Sequence, residues 1–255
     1  MVGILSLVRL MQFGDSMLPT GAFAFSGALE AAVQAGVVHD TGTLQQYVAS
    51  ALRQSATGDA VGLACALRAL CADAVSAGAQ VEERTLAVLR NIDLALYRRK
   101  LPEEFRDMMV KTGRRLAELG ARSTQSPLLS RWLSQIEGGS TPGSYPVSLS
   151  VLFAVSAFAE APIRKADGGE EKVILQEALT VYFYGVAMGV LNASLRLMRV
   201  THFDVHSILY RISGQFEELC ALAMDTPLDR MTGYAPMTDI LSAVHAGGRV
   251  RLFMS

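Results

Sequence analysis

The sequence predicts an all-α protein, a single-domain helical bundle of about ten helices spanning residues 1–255, and three observations support this. Apolar residues recur at helical spacing between recognisable capping residues. No run of alternating apolar and polar residues is long enough for a convincing strand. Of the 255 residues, 51% are hydrophobic and 18% charged, enough to bury one large core.

The elements follow in chain order. Met1 to Met11 is apolar, but Arg9 interrupts it, no basic segment precedes it and no small-residue cleavage site ends it, so it reads as a first core segment and not as a signal peptide. Pro19 and Gly21 make a turn, Phe23 and Phe25 are expected to pack inward, and Leu29 begins the buried face of a helix ending at Gly36. From Thr43, paired with Gln46 in an expected capping box, Leu44, Tyr47, Val48, Ala51 and Leu52 define one buried helical face. Asp59 is placed to cap an Ala-rich helix that reaches Ala77, and a further helix covers Val81 to Tyr97. Pro102, Glu103 and Glu104 suit a helix start, and Lys111, Arg114 and Arg115 lie nearer its other end before Gly120. Residues 123–148, rich in Ser, Gly and Pro, read as a hinge or loop with a short helix around Leu128 to Ile136. Pro146 opens an apolar helix to about Ala159. Long helices then run near Glu170 to Arg199 and His202 to Met224, and a last one starts near Pro227 or Pro236.

Several function classes lack support. A net charge of −1 and the absence of a basic segment argue against nucleic-acid binding. The longest apolar stretch, Val173 to Met198, is broken by Gln176, Glu177, Asn192 and Arg196, so a core helix is expected there and no membrane span. Cys65, Cys71 and Cys220 form no C-x-x-C and suggest neither disulfides nor a thiolate metal site, which fits the cytoplasm. Ser26 lacks the preceding glycine of a nucleophile elbow, and no phosphate-binding glycine motif occurs. No base and nucleophile come together, so neither an enzyme nor a cofactor is expected. The one metal candidate is His202 with His206, four apart beside Asp204, which supplies two imidazoles on one helix face but not a complete site. A pocket lined by Tyr182, Tyr184 and Met188 is the alternative enzyme reading, set against plain core packing.

The segment Leu10-Met11-Gln12-Phe13-Gly14-Asp15-Ser16-Met17-Leu18-Pro19-Thr20-Gly21-Ala22-Phe23-Ala24-Phe25-Ser26-Gly27-Ala28-Leu29-Glu30 resembles the signature of the urease accessory protein F family. Tyr145-Pro146-Val147, Arg196-Leu197, and His245 followed by Arg251-Leu252-Phe253-Met254-Ser255 resemble later segments of the same family in order and spacing. Ala28 stands where the family carries glycine, Arg199 for proline, His202 and His206 for glutamines, and Ala246 for glutamate.

The resemblance implies a helical homodimer that binds the accessory proteins D (also called H) and G, the latter a GTPase, in a complex that loads nickel into apo-urease. It implies a docking tail at about residues 245–255, with Arg251 as a polar fork and Leu252 and Phe253 as apolar anchors. Glu30, Tyr145, Arg196, His245 and Ser255 join them as expected partner-binding residues. The helix carrying Arg106, Lys111, Arg114 and Arg115 is a secondary candidate surface.

Overall fold

The structure is a computed structural model that describes residues 3–73, 79–159, 169–233, 236–246 and 252–253. Among the described residues it contains α-helices and two short 3-10 turns, with no strand, so the chain is all-α as expected. The helices are α1 (Ile4–Gly14), α2 (Leu29–Gln34), α3 (Thr41–Thr57), α4 (Asp59–Asp73), α5 (Ala79–Arg99), α6 (Glu103–Thr124), α7 (Pro127–Glu137), α8 (Tyr145–Val155), α9 (Gly169–Leu197), α10 (His202–Ser213), α11 (Phe216–Asp225) and α12 (Pro236–Ala246).

Helix α8 is the centre of the packing. Pro146 through Phe153 are all buried, so the helix is surrounded and shows no polar face. It packs most extensively on α4 and α6. The Ala-rich sequence of α4 makes this possible, because Ala60, Ala64 and Ala66 are fully buried and let a neighbouring backbone come close. The serines of α8 are satisfied within the core: Ser150 Oγ donates to the Leu63 and Pro146 carbonyls, and Trp132 Nε1–H donates to Ser148 Oγ at 3.0 Å.

Several boundaries differ from the sequence reading for local reasons. The capping box of α3 is formed by Asp40 and Thr43, with Thr43 at the third helical position and not at the cap. Asp59 spends its carboxylate on Lys100 Nζ, 2.5 Å away, tying α4 to the end of α5. The expected helix from His202 to Met224 breaks at Gly214 into α10 and α11. The stretch 123–148, read as a hinge or loop with a short helix, contains that helix as α7. Within it, α7 buries Leu129, Trp132 and Ile136, and the connection to α8 is held by Asp93. That carboxylate, fully buried on α5, accepts from Thr141 Oγ1 and from the main-chain N–H groups of Gly143 and Ser144 at 2.5, 2.7 and 2.8 Å.

The first segment also differs from expectation. In α1 only Leu10 and Phe13 are buried, against α9, while Ile4, Leu7, Val8 and Met11 face solvent. Helix α9 is long and apolar enough to cross a membrane, but half of its most apolar window is buried inside the fold, as in a core helix.

Helix α6 crosses the start of α8 so closely that a Cβ at Gly113 would overlap the Gly143 carbonyl oxygen and the Ser144–Tyr145 peptide. Gly189, on the open side of α9, would meet nothing within 4 Å. Urea unfolding should therefore show Gly113→Ala destabilising by about 2–3 kcal/mol, as overpacking against a pinned backbone does. Gly189→Ala should stabilise by roughly 0.5–1 kcal/mol through helix propensity.

Candidate functional site

Of the residues singled out near the two ends of the chain, Glu30, Leu252 and Phe253 meet at one place. Two left-handed residues in succession, Gly27 and Ala28, turn the chain into α2, and the Gly27 carbonyl is held by the Tyr47 hydroxyl at 2.7 Å. The turn places Glu30 in the first helical turn, where a negative charge suits the helix dipole, and buries it to 2% exposure.

Glu30 receives the carboxy-terminal segment. The Leu252 N–H donates to Oε1 at 2.8 Å and the Phe253 N–H donates to Oε2 at 3.0 Å, so each carboxylate oxygen holds one main-chain donor. Such charge-assisted bonds contribute roughly 1.5–3 kcal/mol each. The Phe253 ring is 6% exposed and lies 5.1 Å beneath the Arg196 guanidinium, a cation–π contact at the last turn of α9. Leu252, by contrast, is 65% exposed. Of the two expected anchors, Phe253 is thus already spent inside the chain's own core, and Leu252 is the one presented outward.

The structure therefore brings together Glu30, Arg196, Leu252 and Phe253. Tyr145 sits apart, half-buried at the start of α8 with its ring 6.4 Å from that of Tyr182, and burial pushes its phenol up to about 12. Arg251 and Ser255 lie outside the described residues, as does the side chain of His245, whose backbone belongs to α12.

The secondary surface on α6 is internally paired. Arg106 donates to the Lys100 and Leu101 carbonyls at 2.7 Å and covers the Tyr97 ring, which finishes the end of α5. Lys111 pairs with Asp107, and Arg114 and Arg115 converge on Glu118. These pairs are solvent-exposed and individually weak.

His202 and His206 are exposed on α10, but Asp204 between them serves the helix start. It accepts from Thr201 Oγ1 and from the Thr201 N–H, and these bonds lower its pKa. Among the described residues no three His, Cys, Asp or Glu side chains gather to hold a metal ion. Burial raises the pKa of all three thiols, to about 11 for Cys71, so none is a ready thiolate at neutral pH. Tyr182 is buried in the aromatic cluster of Tyr145 and Phe183, whereas Tyr184 of the same helix is exposed, so the two do not line one pocket. Phe23, expected to pack inward like Phe25, is 73% exposed.

The sequence reading did not foresee the left-handed backbone at Ala28. A signal was available, because Ala28 stands where the resembling family has glycine, the residue that adopts this conformation without strain. Among the described residues the arrangement offers recognition surfaces and hydrogen-bonded order, and no three His, Cys, Asp or Glu side chains form a metal cage.

Comparison with known proteins agrees with the chain's own signature. The family model described as UreF matches residues 38–163. The chain is 40% identical to the urease accessory protein UreF of Yersinia pseudotuberculosis (serotype IB) over 247 residues, 97% of each chain. It is 40% identical to that of Yersinia pestis (strain Pestoides F) and 41% identical to that of Yersinia enterocolitica (serotype O:8), again over 97% of each chain.

Glu30→Ala removes the acceptor of both tail donors while leaving α2 a good helix former. Hydrogen exchange should show the Leu252 and Phe253 amides exchanging at least about tenfold faster, the equivalent of 1.4 kcal/mol of local opening. Amides of α8 should stay protected to the global limit.

Proposed function

The chain belongs to the UreF family of urease accessory proteins, and from that premise we propose that it serves urease maturation as a scaffold, with no reaction of its own. It acts in the cytoplasm as a homodimer that holds accessory protein D (or H) and the GTPase G together. In that complex nickel passes into apo-urease. Its effect on the GTPase is one of differential binding, since a regulator shifts a two-state partner only by its difference in affinity for the two states. Nucleic acid and membrane play no part in this reading.

The observation that carries the docking proposal is the tail seated on Glu30 and Arg196 with Leu252 turned outward. Glu30, Arg196 and Phe253 act as positioning residues that fix the tail, and Leu252 makes the apolar contact with accessory protein D. Arg251, His245 and Ser255 are further partner-binding residues on this reading. Tyr145 acts indirectly, through the packing of α8, and the α6 cations Arg106, Lys111, Arg114 and Arg115 form a weaker second surface.

Deleting Arg249 to Ser255 should leave a helical protein by circular dichroism and abolish co-purification with co-expressed accessory protein D. Leu252→Ser alone should weaken that complex about tenfold or more, the effect of removing an apolar hot-spot contact. Retained binding after the deletion would refute the docking role of the tail.

A further inference from the structure

Helix α10 carries two histidines four residues apart on its open side. His202 and His206 are both exposed, whereas Val205, Ile208 and Ile212 of the same helix are buried and seat it on the body. Side chains at i and i+4 of a helix lie one above the other, with Cβ atoms roughly 6 Å apart. That spacing lets two imidazole nitrogens reach one cation at about 2.0–2.1 Å each. His202 stands in the first turn, where helices fray, but the reciprocal Thr201–Asp204 bonds hold that turn closed. Among the described residues, neither imidazole is tied up in a hydrogen bond or an ion pair. The two rings line one open groove of about 580 Å³ together with Phe203, Ser207, Tyr210 and Arg211. Arg211, the fixed cation of that groove, donates to Gln45 on α3.

We propose that His202 and His206 form a two-imidazole site for a divalent late transition cation of the Ni²⁺, Zn²⁺ and Cu²⁺ class, with water in the remaining coordination positions. Imidazole nitrogen selects these ions over Mg²⁺ and Ca²⁺, which take oxygen ligands. Asp204 is not a third ligand, because its carboxylate closes the helix start on Thr201. Among the described residues no other His, Cys, Asp or Glu completes a set of three. Two protein ligands hold a cation less firmly than the three or four of a resident site, and they leave open positions at which an incoming ligand can take the ion over. The site is therefore suited to exchange and not to storage. The hydroxyls of Ser207 and Tyr210, at the wall of the same groove, are available to bond the water around the ion. None of this depends on the docking of the tail or on the homodimer.

The test titrates the tag-free, full-length chain by calorimetry with Ni²⁺ and separately with Zn²⁺, and with Mg²⁺ as the ion that should not bind the pair. The wild type should show a Ni²⁺ or Zn²⁺ site that His202→Gln or His206→Gln weakens at least about tenfold, because the second imidazole of a pair binds intramolecularly. His39→Gln, at an exposed histidine elsewhere on the surface, should leave that site unchanged. All three side chains are exposed, so each variant should keep the wild-type circular dichroism. A further variant keeps the number of histidines and moves one ring. In His206→Gln with Ser207→His the second imidazole sits roughly 140° around the helix from the first, and binding should be as weak as in His206→Gln alone. Wild-type affinity in His202→Gln and His206→Gln, or in the variant with the shifted histidine, overturns the site. So does a wild type that binds neither Ni²⁺ nor Zn²⁺.

Discussion

A buried carboxylate decides where the central helix begins. Asp93 has no exposed surface, and removing an ionised group from water costs several kcal/mol even after relaxation. Three short hydrogen bonds offset that cost, and two come from main-chain N–H groups at the entrance to α8. A helix start has unsatisfied N–H groups and a positive dipole end, so the carboxylate and the helix satisfy each other. The loop ahead of α8 is thereby fixed closely enough for α6 to lie against it at Gly113. With its start fixed, α8 can be surrounded on all sides, and α4, α6 and α7 take their places around it.

The same chemistry recurs at the other end of the molecule. Glu30 also answers two main-chain donors with two carboxylate oxygens, at Leu252 and Phe253. There the donors are Leu252 and Phe253, which belong to none of the described helices, so the carboxylate takes the place of a helical acceptor. The placement of Glu30 depends on the left-handed Ala28, a conformation costing about 1 kcal/mol or more for a residue with a Cβ. Its fully buried methyl group returns roughly 0.8 kcal/mol, which makes alanine tolerable where glycine is the unstrained choice.

What the sequence revealed follows from which interactions are local. Helix existence and type were legible because start signals and periodicity lie within a turn or two of each other, as at Pro102–Glu104, although the capping box of α3 is Asp40–Thr43 and not the expected Thr43–Gln46. Which face of a helix finds a neighbour was not legible from periodicity. The stripe of α1 reads as core and lies in water, and Phe23 and Phe25 share a spacing but not an environment. The break at Gly214 could have been read, since glycine is a weak helix former, but the apolar pattern runs through it. Asp93 also left a trace: it falls at helical spacing with Leu86, Leu89 and Leu96, a carboxylate on an otherwise apolar face. Its partners, some fifty residues on, have no such trace, and neither does the contact between Glu30 and a tail more than two hundred residues away.

The energetics of the tail bear on how a partner would read it. Pulling the tail off the body would break two charge-assisted hydrogen bonds, strip the Arg196 contact and expose the Phe253 ring. Burial of such a ring alone contributes about 1.5–3 kcal/mol, so the total is several kcal/mol. A partner that took Phe253 as its own anchor would recover part of this and would still strip the buried Glu30 carboxylate of the Leu252 and Phe253 donors. A partner that left the tail in place would meet Leu252 already ordered and would avoid the entropy of fixing a loose chain end. The magnitudes favour the second course. On the proposed docking reading, Leu252 is then a preformed part of the folded surface, held there through Glu30 and Arg196 without either of them touching the partner.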